Sequence, residues 1–260
     1  MKDLHKRVIT GVIGILALIL IMYLGIEAIK IFFFIVTLEA IREIYNALIK
    51  KGITLFLPTL FFGSVITFVV SFFELNILFA PIAFFIINSI CTIIVDDYSL
   101  NNSIYTFFAY FYSVFLLTLL AISNDIMLII SAFVVSFSTD TFAYFIGSIF
   151  GKHKLIERVS PNKSVEGAIG GTFSATIITT IYFYYISKNF VNIHINFYVV
   201  LIIILASVAG QFGDLFASYL KRYTGIKDYA NILPGHGGVL DRFDSIIFVS
   251  PFIYVLFHIL

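Results

Sequence analysis

Nine apolar runs dominate this chain, each close to the roughly 20 residues a helix needs to cross a hydrocarbon core. They cover 8–25, 29–47, 54–73, 77–95, 104–122, 126–149, 168–187, 196–219 and 243–260. Hydrophobic residues make up 60% of the sequence and charged ones 12%, and the mean hydropathy is +1.05. These values exclude an ordinary water-soluble domain. The period-two alternation of barrel strands is missing, so helices are the spanning element that can satisfy every backbone amide in lipid. The expected fold is all-α: a polytopic integral membrane protein of about nine transmembrane helices, built as one domain over residues 1–260. Short links leave no stretch for a separate soluble domain. The chemistry must therefore sit among the helices and their loops.

Charge placement orients the chain. With the N-terminus on the cytoplasmic side, every Lys and Arg except Lys30 and Lys188 falls on the inner side, as the positive-inside bias requires. The polar loops 150–167 and 220–242 then face the cytoplasm, where a soluble nucleotide can reach them. The stretch from Met1 to Arg7 ahead of an apolar run resembles a signal peptide. No small-x-small cleavage site follows at Leu24-Gly25-Ile26-Glu27, so an uncleaved first helix is expected. The single cysteine, Cys91, lies inside an apolar run and reads as a small buried hydrophobe. A net charge of +1 says little about partners, and no nucleic-acid partner is expected.

Residues 1–125 read as scaffold helices and 126–260 as the catalytic half. Within the scaffold, Glu39 is the exception. It is either a buried functional acid or an interfacial one beside Arg42 and Glu43. Asp96 and Asp97 read as a solvated loop. In the second half polar residues enter the spans themselves. Asp140 is surrounded by Ser136, Ser138, Thr139 and Thr141, and Asp214 follows Gly210-Gln211-Phe212-Gly213. An intramembrane carboxylate costs about 2.5–3.5 kcal/mol on insertion scales, so it usually has a partner and a role.

Four constellations carry the candidate chemistry. Asp140, Tyr144, Gly147 and Gly151 share one helical face, and the two glycines allow another backbone to come close. Ser160-Pro161 fits a helix N-cap and first position, with Lys163 adding a cation to an anion-favouring helix start. Asp214, Ser218 and Lys221 align a carboxylate, a hydroxyl and an ammonium, flanked by Arg222. Further on, Lys227-Asp228 leads to Pro234-Gly235-His236-Gly237-Gly238, whose glycines can bring backbone N–H groups against phosphate oxygens. Asp241 and Asp244, with Arg242 between them, suit Mg2+ bridging a polyphosphate. His236 has no Cys or His partner at zinc-ligand spacing.

The run from Ser218 to Asp244 resembles the signature of the phosphatidate cytidylyltransferases (CDP-diacylglycerol synthases). Ser218, Lys221-Arg222, Lys227-Asp228, the Pro-Gly-His-Gly-Gly run, Asp241-Arg242 and Asp244 all stand in register. Asp140, Ala143, Tyr144 and Gly147 resemble a second block of that family. Ser160-Pro161, Lys163, Glu166, Gly167, Gly170 and Gly171 resemble a third, with Asn162 and Ser164 where Lys and Thr are common. The resemblance implies transfer of a cytidylyl group from CTP to phosphatidate, giving CDP-diacylglycerol and pyrophosphate for phospholipid biosynthesis. The setting it implies is a bacterial plasma membrane, with the active site facing the cytoplasm.

It further implies Asp214 and Asp241 as Mg2+ ligands, with dependence on a monovalent cation such as K+. Asp244 would support that site or orient Arg242. Lys221, Arg222, Lys227 and Arg242 would bind phosphates, and Gly235, Gly237 and Gly238 would cradle the triphosphate. Asp140, Ser160 and Lys163 would complete the pocket, with Ser218 beside them. His236 would serve geometry more than proton transfer. The partners implied are CTP, phosphatidate and membrane lipid, with a homodimer compatible by resemblance only. Two alternatives stay open: a CTP-dependent polyprenol or dolichol-type lipid kinase, and an ion-coupled transporter, although no internal repeat favours the latter.

Overall fold

A computed structural model describes the backbone of residues 2–189, 194–232 and 235–259, and the side chains of 9–189, 194–232 and 235–258. Pro234, which opens the glycine-rich run, lies outside the described residues. So do the side chains of Lys2, Lys6 and Arg7, on which the inward orientation partly rests.

The helices are α1 (Lys2–Tyr23), α2 (Ile26–Lys50), α3 (Leu57–Phe72), α4 (Phe79–Ile94), α5 (Leu100–Tyr110), α6 (Leu116–Ile122), α7 (Ile126–Phe150), α8 (Val165–Asn189), α9 (Phe197–Thr224) and α10 (Leu240–Ile259). A π-helical turn, Phe111–Phe115, joins α5 and α6 into one rod, Leu100–Ile122. Nine rods thus stand among the described residues, one for each apolar run.

Four of them are long and apolar enough to cross a membrane: Leu100–Ile122, Ile126–Phe150, Val165–Asn189 and Phe197–Thr224. The 16-residue helices α3 and α4 each reach only about 24 Å, against a core of about 30 Å. Large apolar side chains such as Ile13, Phe79, Ile93 and Ile149 are exposed, as expected where lipid rather than water is the solvent.

Two short strands modify the all-α expectation. β1 (Lys154–Ile156) and β2 (Ser160–Ser164) pair antiparallel, with an irregularity in register. Ser160 and Pro161 are therefore strand residues, not a helix cap and first turn. A two-stranded ribbon has an outer edge on which proline's missing N–H costs no ladder bond. The cap falls four residues later, where Ser164 Oγ accepts the N–H of Gly167 at 3.1 Å and α8 begins at Val165.

The chain divides into two compact units, Met1–Asn124 with Lys221–Phe243, and Asp125–Leu220 with Asp244–Leu260. The first unit has an aliphatic and aromatic core, including Ile29, Phe33, Ala40, Ile44, Phe84 and Leu120. Gly63 makes room there for Phe84, since a Cβ would sit 2.3 Å from its ring. Phe84 stacks on Tyr110 with centroids 3.8 Å apart, and the Tyr110 hydroxyl meets Thr67 at 2.8 Å. Asn88 donates to Ser103 and accepts from the Tyr98 hydroxyl. Such polar contacts between helices replace the hydrophobic drive that lipid removes. Lys30, expected as an outer charge, is 2% exposed, with Glu27 at 3.7 Å and Glu74 at 3.6 Å.

In the second unit α7 and α8 pack backbone to backbone through small residues. A Cβ on Gly167 would lie 2.6 Å from the Ala143 carbonyl, and one on Gly171 would lie 2.7 Å from the Thr139 carbonyl. Gly147 faces Gly167, as the sequence spacing anticipates. A buried ladder joins α9 to these helices. Thr139 meets Ser207 at 2.7 Å, and Gln211 donates to Thr172 at 2.8 Å and to the Ala168 carbonyl at 3.2 Å.

Gly171→Ala should therefore destabilise the fold by about 1–3 kcal/mol through overpacking, lowering the unfolding midpoint in detergent by roughly 2–10 °C. Gly14→Ala, at a position with nothing within 4 Å, should leave it unchanged. Equal midpoints for the two variants would exclude the close α7–α8 approach.

Candidate active site

In the first unit, α9 stops because Gly225 adopts a left-handed conformation (φ 74°), with its N–H on Arg222 O and that of Ile226 on Lys221 O. This leaves Lys221 and Arg222 in the last turn, where cations complement the helix dipole. The chain then returns toward α10 through a loop in which Gly235 (φ 77°) and Gly237 (φ 82°) hold conformations that side chains rarely adopt.

The loop is organised around Asp241, which is 6% exposed. Its Oδ1 accepts the Lys221 ammonium at 2.7 Å, and its Oδ2 accepts the N–H groups of Tyr229 and Gly238, each at 2.9 Å. The same ammonium lies 5.7 Å from the Tyr229 ring centre. Gly238 thus directs its N–H at a carboxylate instead of at an incoming phosphate, and Gly237 is small because a Cβ would lie 2.8 Å from Asp241 Oδ2. His236 packs its ring against Gly11 of α1. Arg222, Lys227 and Arg242 are exposed.

Sequence reasoning passed over one residue here. Glu43 of α2 is 1% exposed, and its two carboxylate oxygens accept the N–H groups of Val239 and Leu240 at 2.7 Å each. Glu39, the acid that drew notice, is instead held at the surface by Arg42 through three side-chain hydrogen bonds.

In the second unit, β2 and α9 bring Lys163 and Asp214 together at 2.6 Å, with side chains 28% and 29% exposed. Gly213, next to Asp214, lies against the Asp244 carbonyl of α10, where a Cβ would sit at 2.5 Å. The Ser245 hydroxyl donates to Asp140 at 3.2 Å, and the Ser245 N–H donates to Asp244 at 2.8 Å. Asp140 is exposed, and Ser160 and Ser218 are half-buried. Glu166 accepts the N–H groups of Lys152 and His153 and pairs with the His153 ring at 2.6 Å, tying the strand-bearing loop to the first turn of α8.

The two expected metal ligands, Asp214 and Asp241, belong to different units. Among the described residues no group of three or more His, Cys, Asp or Glu comes together. Each unit instead presents one such carboxylate with a lysine on it. Mg2+ is commonly held by one or two carboxylates together with substrate phosphates; the part-exposed Asp214 carboxylate is of that kind, whereas both oxygens of the buried Asp241 already accept hydrogen bonds.

A model of the cytidylyltransferase family matches residues 5–260. The chain belongs to that family. It is 33% identical to a phosphatidate cytidylyltransferase of Staphylococcus haemolyticus over 96% of this chain and 97% of the relative. Identity reaches 50% with the Bacillus subtilis phosphatidate cytidylyltransferase over 126 residues, 48% of this chain and 45% of that one. With the Staphylococcus aureus protein of that name it is 46% over 134 residues, 52% of this chain and 50% of that one.

Proposed function

We propose that this chain transfers the cytidylyl group of CTP to phosphatidate, releasing pyrophosphate and leaving CDP-diacylglycerol in the membrane. One observation carries the reading of the site: Lys163 on Asp214 and Lys221 on Asp241, at 2.6 and 2.7 Å, pair each expected carboxylate with an expected phosphate-binding cation.

A phosphatidate oxygen bonds to the α-phosphorus while the bond from that phosphorus to the β-phosphate oxygen breaks, and the electron pair leaves with pyrophosphate. The attacking phosphate is already anionic, so no strong side-chain base is required. The protein's task is positioning and charge compensation between two polyanions. Lys221, Arg222, Lys227 and Arg242 supply cations from the first unit, and Lys163 supplies one from the second. Asp140, Ser160, Ser218 and Asp244 are the second unit's candidate substrate-binding residues, and His236 and the loop glycines shape the loop of the first unit. Asp214 in the second unit and Asp241 in the first are the residues that would hold Mg2+, with K+ as a further ion, and bound metal would supply charge screening and stabilise the leaving oxygen.

The N-terminus lies in the cytoplasm and the helices lie in a bacterial plasma membrane, four of them long and apolar enough to cross it, with both polar loops at its inner surface. The Lys and Arg bias supports this orientation. Lipid enters sideways between helices. Resemblance alone supports a homodimer.

The test is purified protein with phosphatidate, Mg2+ and CTP labelled at either the α- or the γ-phosphate. The α-label should appear in lipid and the γ-label in pyrophosphate. Transfer of the γ-label to lipid would identify a lipid kinase and overturn the reading.

A further inference from the structure

Three successive amides open α10. The N–H of Gly238 goes to Asp241, and those of Val239 and Leu240 go to Glu43. A bare helix start would turn these amides toward an incoming anion. Here a carboxylate from α2, 196 residues away in sequence, takes two of them. The fit is close, because a Cβ on Gly238 would lie 2.3 Å from Glu43 Oε1. Glu43 is fully buried while its neighbour Arg42 turns outward to Glu39.

We infer that Glu43 is a positioning residue for cytidylyl transfer. Two hydrogen bonds at the first residues of α10 fix how the helix is rotated about its axis. That rotation decides where the Asp241 carboxylate points, and with it the Lys221 ammonium and the Tyr229 amide. Glu43 itself touches no substrate. It acts through the backbone that carries Asp241. The inference rests on the assignment of residues 221–244 to the reaction.

The structure also supplies a paired test. Gly238→Ala drives a methyl group into Glu43, and removing the Glu43 carboxylate clears the space. Glu43→Gln keeps the shape but offers one acceptor oxygen and an NH2 group to two N–H donors. Misplacement of a catalytic group by about 1 Å can cost on the order of 100-fold. Glu43→Gln should lower kcat per folded molecule by roughly 10- to 100-fold, with the KM for phosphatidate little changed and trypsin cutting faster at exposed Lys227. Gly238→Ala should lose a similar factor in the parent chain, yet less than about threefold when added to Glu43→Ala, because contacting residues couple.

Two outcomes overturn the proposal. One is parental kcat per folded molecule in Glu43→Gln, even with a lowered melting midpoint, which is what a purely structural role predicts. The other is simple multiplication of the Gly238→Ala and Glu43→Ala losses. The underlying site assignment fails differently: full turnover in Asp241→Asn would remove it, whatever the Glu43 variants do.

Discussion

Asp241→Asn should lower turnover by about 100- to 1,000-fold, the range seen when a preorganised electrostatic partner of a transition state is removed. Asn matches Asp in size but not in hydrogen-bonding capacity. Asp241 uses Oδ1 for the Lys221 ammonium and Oδ2 for two backbone N–H groups. The amide NH2 must face either the ammonium or the two amides, and either contact sets donor against donor. Side-chain exposures are 15% for Lys221 and 3% for Asp241, so the loss leaves a largely buried cation without its counter-charge. Breaking a buried pair from one side costs about 3–5 kcal/mol. The loop would loosen and activity would fall together. The double variant Asp241→Asn/Lys221→Met separates the two effects. Removing the orphaned ammonium should restore much of the melting midpoint and none of the turnover, read with α-labelled CTP. Recovery of turnover in the double variant would mean that Asp241 only holds the loop and that Lys221 has no part in binding phosphate.

The helices were legible because an apolar run of helical length has few other fates in lipid. Each of the nine runs became a rod, although α3 and α4 stop at 16 residues. The π-helical turn at Phe111–Phe115 left no mark in the apolar pattern. The glycine face of α7 was legible in part: Gly147 meets Gly167 of α8, whereas Gly151, just past the helix end, meets Ser164 of β2. Ser160-Pro161 misled because the dipeptide suits both a helix start and the edge of a two-stranded ribbon. What decides between them is the pairing with Lys154–Ile156, which local propensity does not carry. Gly238 has the expected small size, but for the sake of Glu43, and its N–H meets an acid of its own chain. Glu43 itself could not be found by spacing. It and Glu39 lie one turn apart on α2, and only a partner 196 residues away makes one a buried clamp and the other a surface ion pair.

Asp214→Asn should separate from Asp241→Asn in one respect: it should remove most of the activity without loosening the fold. Asp214 and Lys163 are each more than a quarter exposed, so water screens the pair and it contributes little to stability, of order 0–1 kcal/mol. The melting midpoint should move by no more than about 2–4 °C. The helix keeps its place through Gln211, Thr172, Ser207 and Thr139, one turn and more from the acid. Turnover should nevertheless drop by roughly 100- to 1,000-fold, since the carboxylate proposed to hold Mg2+ would act on charge that develops in the transition state. Lys163→Ala should do less than Asp214→Asn, because it leaves in place the carboxylate that the metal would need. The Mg2+ concentration giving half-maximal rate should rise in whatever activity Asp214→Asn retains, and stay near its parental value in Lys163→Ala. If Asp214→Asn turned over normally at the parental Mg2+ midpoint, Asp214 would have no part in binding the ion.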